Sequence, residues 1–167
     1  ADDPEIVVQP LRASILPHID FHRGRNAYRA GYRLLRHGLG PADAPITVVI
    51  LGISHAISRI PFILTRKDFA TPLGDVPTDQ DLVTRLADGL PFDPFLDEYN
   101  HLNEHSIEFH AVLLRHLAQE RPLSIVPILC GSFHDAPLGK FSPKGLPGVG
   151  AFLERLHRLK QDRPDIH

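Results

Sequence analysis

The run Ile46-Thr47-Val48-Val49-Ile50-Leu51 constrains the fold more than any other part of the chain. Every residue but the last is β-branched, and polar residues do not alternate with apolar ones. Such a run is expected in a central strand of a parallel sheet, where helices cover both faces. Residues 123–129 form a second confident strand, residues 61–65 a shorter one, and residues 13–16 another just ahead of Pro17.

Helical patterns fall between these runs. Over residues 25–37, Tyr28, Tyr32 and Leu35 recur at helical spacing, with Gly38 expected as the C-terminal cap. Thr78 and Asp81 suggest a capping-box start for a helix carrying Leu82, Val83 and Leu86, closed by Gly89. Asn103 is expected to cap a helix reaching about residue 119, with Ile107, Ala111, Leu114 and Leu117 on its core face. A basic amphipathic helix is expected over residues 149–161, after a stretch rich in Gly and Pro; residues 6–10 form a short apolar segment near the start. Strands alternating with helices predict an α/β fold. The 167 residues fit one domain with a real core.

Composition narrows the function classes. A net charge of −2 gives no electrostatic basis for binding nucleic acid. Arg23, Arg25, Arg29, Arg33 and Arg36 follow one expected helix and read as a solvated face. No apolar stretch approaches the roughly 20 residues that span a bilayer. A single cysteine, Cys130, excludes an internal disulfide and fits a reducing compartment, so a cytoplasmic protein is expected. Methionine is absent, even at residue 1, as expected of an internal piece of a longer protein or of a sequence recorded without modified methionines.

The candidate chemistry lies in the histidines. His18 and His55 each stand just beyond an apolar run, and ligands in open parallel sheets sit outside the carboxyl ends of strands. Two imidazoles delivered there could share a metal ion; each could instead cap a strand end through its backbone. Asp20, Glu104 and Glu108 are available to orient them. The string His101-Leu102-Asn103-Glu104-His105 matches H-x-x-E-H, a zinc-peptidase pattern, if both histidines share one helix. Eleven histidines raise the chance of accidental matches. Cys130, after a buried run, is expected as a small buried hydrophobe rather than a nucleophile. No phosphate-loop or dinucleotide motif is present.

Several strings together resemble the Memo-like family, including the AmmeMemoRadiSam system protein B: Pro17-His18, Val49-Ile50-Leu51-Gly52-Ile53-Ser54-His55, Thr71-Pro72-Leu73-Gly74-Asp75 with Asp79, and Glu104-His105-Ser106-Ile107-Glu108. The resemblance covers residues 13–131. It implies a three-layer α/β/α sandwich around a mostly parallel or mixed sheet, similar to class III extradiol dioxygenases. It implies metal ligation by His18 and His55, with His105 near the site; His105 and Glu104 are the expected catalytic residues. Iron or copper is the implied metal, with zinc as an alternative. A small-molecule or peptide ligand in the cleft is the implied partner. The first motif departs from the family, reading His18-Ile19-Asp20 where His-x-Gly is usual. The third ligand and an acid/base histidine are expected from a later C-terminal part that this domain lacks. An oxygen-dependent oxidoreductase is the leading expectation; a non-catalytic binding module and a zinc peptidase are the alternatives.

Overall fold

The computed structural model describes residues 13–41, 43–132, 145–146 and 148–167. The apolar segment at 6–10 and most of the Gly/Pro-rich stretch before Gly148 lie outside them. Three strands form one mixed sheet in the order β1-β3-β2. Strand β1 (Ile46–Ile53) runs parallel to β3 (Leu123–Cys130), with Ile46 opposite Leu123 and Ile53 opposite Cys130. Strand β2 (Phe62–Leu64) pairs antiparallel on the other side of β3.

Alternation along the strands sorts the core into two layers. Ile46, Val48, Ile50, Ile63, Ile125 and Leu129 pack with Leu35 of α1 (Phe21–Gly38) and with Ile107, Ala111 and Leu114 of α3 (His105–Ala118). On the opposite face, Phe62, Leu64, Val126 and Ile128 meet α2 (Gln80–Ala87) and α4 (Val149–Asp162) through Leu82, Val83, Leu86, Phe152 and Leu159. The result is an α/β/α arrangement around a mixed sheet.

Some local expectations change. Strand β3, flanked on both sides, is the central strand, whereas β1 lies at the edge with Leu51 and Ile53 about half exposed. Residues 13–16 form no strand. Several outward backbone groups of β1 are engaged elsewhere: Val49 N–H donates to the His167 carbonyl, His167 N–H donates to Thr47, and both polar groups of Ile53 bond the Ser106 hydroxyl.

Helix caps shift by a residue or two. Asp79, not Thr78, caps α2 by accepting from Leu82 N–H at 3.0 Å. Glu104, not Asn103, caps α3 by accepting from Ser106 N–H. Helix α1 starts at Phe21, ahead of the expected residue 25, and Gly40 rather than Gly38 takes the left-handed conformation beyond its end.

Candidate metal centre

The site begins with a glycine at the end of β1. A Cβ on Gly52 would stand 2.6 Å from Ile107 Cγ1 and 2.7 Å from Ser106 Oγ, so only glycine lets α3 approach this closely. At that distance the Ser106 hydroxyl accepts from Ile53 N–H at 2.9 Å and donates to the Ile53 carbonyl at 3.0 Å. The start of α3 is thereby fixed to the end of β1, two residues before His55.

Glu104 carries the connection onward. Its carboxylate accepts from the backbone N–H groups of His55 and Ser106, each at 2.9 Å, and its two oxygens lie 3.0 and 2.9 Å from His55 Nδ1. The side chain is only 4% exposed. Burial opposes its ionisation most strongly, yet the hydrogen bonds from His55 and Ser106 together outweigh burial and pull the carboxyl down to about 2. Glu104 is therefore a fixed anion at neutral pH, suited to holding an imidazole N–H rather than to passing a proton. With Nδ1 protonated against Glu104, the lone pair of a neutral His55 lies on Nε2.

His18, His55 and His105 converge here. Their ring centroids lie 5.1 to 5.7 Å apart, and each offers one nitrogen, all three within 4.8 Å of one another. This is the cluster of potential metal-binding side chains found among the described residues. Metal–nitrogen bonds of about 2.1 Å would set such nitrogens about 3 to 3.5 Å apart. Closing the cluster therefore needs movement of about 1 Å from rings that are partly or well exposed. Three neutral imidazoles backed by one buried carboxylate fit a first-row divalent metal.

Other candidates from the sequence lie elsewhere. His101 sits in a 3-10 helix, Glu98–Asn103, ahead of α3. Its Nε2 faces the Ile63 carbonyl at 3.1 Å, and burial pulls its pKa down to about 4. The H-x-x-E-H string thus spans a helix break, and His101 and His105 do not share a metal, which removes the peptidase geometry. Glu108 is exposed beside a cavity of ≈ 670 Å³ that His101, Phe69, Phe95 and Tyr99 also line. None of the three clustered histidines lines that cavity. Asp20 pairs with Arg23 at 3.6 Å. Burial raises the Cys130 thiol to about 11, so it is protonated and a poor nucleophile.

The sequence did not disclose two supports. Asp97, 8% exposed, accepts from Arg59 N–H at 2.7 Å and from Arg59 Nε at 2.8 Å, which pins the loop that follows His55. Asn100 donates to the Ser54 hydroxyl and the Ile57 carbonyl in the same loop. The 3-10 helix that supplies both has no periodic apolar pattern to announce it.

The model of the Memo-like protein family matches residues 3–140. A MEMO1 family protein of Aquifex aeolicus is 31% identical over 118 residues, covering 71% of this chain and 30% of that protein. One from Methanocaldococcus jannaschii is 41% identical over 91 residues, covering 53% and 31%. One from Methanococcoides burtonii is 32% identical over 128 residues, covering 76% and 44%. The matched stretch is thus less than half the length of these relatives. No solved structure matches the chain. No helix among the described residues is long and apolar enough to cross a membrane. On the family match over most of its length, the chain belongs to the Memo-like family.

Proposed function

We propose that the chain binds iron or copper through His18, His55 and His105 and takes part in an oxygen-dependent oxidation of a small molecule. The observation that carries this reading is the convergence of three imidazole nitrogens within 4.8 Å beyond the carboxyl end of β1. An all-imidazole set suits iron, copper and zinc, and three protein ligands leave coordination positions open. A bound iron or copper ion would supply one-electron exchange with dioxygen. Glu104 would hold the His55 tautomer and add negative charge behind it. His105, 44% exposed at its side chain, would complete the ligand set from the first turn of α3. A reducing cytoplasm fits this chemistry, since it preserves both ferrous iron and the Cys130 thiol.

A second reading draws on the neighbouring ≈ 670 Å³ cavity, where Leu96, Tyr99 and Leu102 stand exposed. Exposed apolar side chains grouped at a cavity mark ligand sites. On this reading the fold binds a small molecule or peptide without redox chemistry.

Metal analysis of anaerobically purified protein, beside a His18→Ala/His55→Ala double variant, separates the two. Near-stoichiometric iron or copper in the parent, lost in the variant, supports the metal reading. Equal and negligible metal in both contradicts it and leaves the binding reading.

A further inference from the structure

His18 lies on a segment without regular structure, whereas His105 is in the first turn of α3 and His55 follows β1 by two residues with its N–H bonded to Glu104. Residues 13–18 form no ladder with β1, part of whose outer edge is engaged by His167 and Ser106. An unpaired segment of this kind would ordinarily leave a ligand poorly positioned, yet the His18 ring sits 5.2 Å from His55 and 5.7 Å from His105. Something else must hold it.

The carbonyl just after His18 is bonded by a side chain: the Tyr28 hydroxyl donates to Ile19 at 2.7 Å, reaching back from the second turn of α1. Tyr28 is 4% exposed, and its ring fills the space left by Gly24, where a Cβ would stand 2.5 Å from it. The Tyr28 ring packs edge-on against His110 at 5.9 Å, and Tyr32 Oη lies 2.8 Å from His110 Nδ1, so α1 and α3 hold each other beside this loop.

We infer that Tyr28 is a positioning residue whose hydroxyl clamps the Ile19 carbonyl and so holds His18 at the cluster, in place of the strand pairing that its segment lacks. The clamp ties the loop to α1, and α1 packs directly on α3. The inference rests on the metal reading above, because a clamp on His18 matters to function only if His18 is a ligand.

The test is a Co²⁺ titration followed by visible absorption, in the full chain and in Tyr28→Phe, each made with His18 intact and in a His18→Ala background. The substitution keeps the aromatic ring and removes only the hydroxyl that bonds Ile19. Second-layer partners of metal ligands typically change affinity by about 10- to 100-fold. The expected result is a loss of about 10-fold when His18 is present and no further loss when it is absent. Equal losses in the two backgrounds, or no loss in either, overturn the clamp.

Nuclear magnetic relaxation of the His18 and Ile19 amides, without metal, separates failure of the clamp from failure of the metal reading. Both amides should be ordered in the parent and more mobile in Tyr28→Phe. Where the parent binds no Co²⁺ the amides alone decide: if they loosen in the variant, the clamp stands and the metal reading falls. If the amides stay equally ordered in parent and variant, the clamp falls whatever the metal result.

Discussion

Gly52 shows how much of the site depends on one missing side chain. The contact it permits joins β1 to α3 and sets Glu104 beneath His55. Gly52→Ala is predicted to destabilise the protein by about 1–3 kcal/mol, because neither Ile107 nor the β1 backbone can yield without strain. Chemical denaturation would measure the loss. The same variant should weaken metal binding, since the start of α3 must move.

Two titrating groups give a pH signature at the same scale. His101 is held neutral, with its pKa lowered from 6.5 to about 4, foremost by burial. The unfolded chain therefore binds more protons between those values, so stability is full above about pH 6.5 and falls as pH drops through 4. Glu104, lowered from 4.5 to about 2, adds a further decline below about pH 4.5. In urea unfolding of the metal-free protein, His101→Phe should flatten the slope between pH 6.5 and 4 and leave the lower decline in place. An unchanged slope would show that His101 is protonated in the native state. His55, Glu104 and His105 stood out in the sequence because the end of an apolar run and a helix start deliver them; His18 stood out through an expected strand at 13–16 that does not form. Tyr28 and Ser106 did not stand out as site residues, since each lies within a helical pattern that reads as packing.

At the scale of elements, the 3-10 helix Glu98–Asn103 matters more than its length suggests. Asp97 at its start and Asn100 within it hold the loop between His55 and Ile60. Asp97→Ala should cost about 1–3 kcal/mol, because it leaves the Arg59 N–H without its partner and frees the loop. Hydrogen exchange should show faster opening at Arg59 and little change in β3. The apolar runs predicted all three strands of the sheet and three of the helices at nearly their observed places. Their order in the sheet was not legible, because an apolar run reports burial and not which neighbour provides it. Val49 gains its cover from the α2–α4 layer, while Leu51 and Ile53 beyond it remain half exposed. Residues 13–16 read as a strand for the same reason: Ile15 and Leu16 are apolar, but they pair with no strand.

Across the whole molecule, two helical layers enclose a three-stranded sheet and bring three histidines from three separate segments to one place. His18 comes from the loop before α1, His55 from the loop after β1 and His105 from the first turn of α3. Spatial convergence from such distant positions sets them apart from the other described histidines, although any of the chain's eleven could bind metal adventitiously. Counting and identifying the ligands is therefore more decisive than detecting metal. X-ray absorption fine structure of the iron- or copper-loaded protein, beside His105→Ala, tests the central claim most directly. The predicted spectrum contains three imidazole nitrogens at about 2.0–2.1 Å in the parent and two in the variant. Fewer than three in the parent, or the same number in both, would contradict a centre built from His18, His55 and His105.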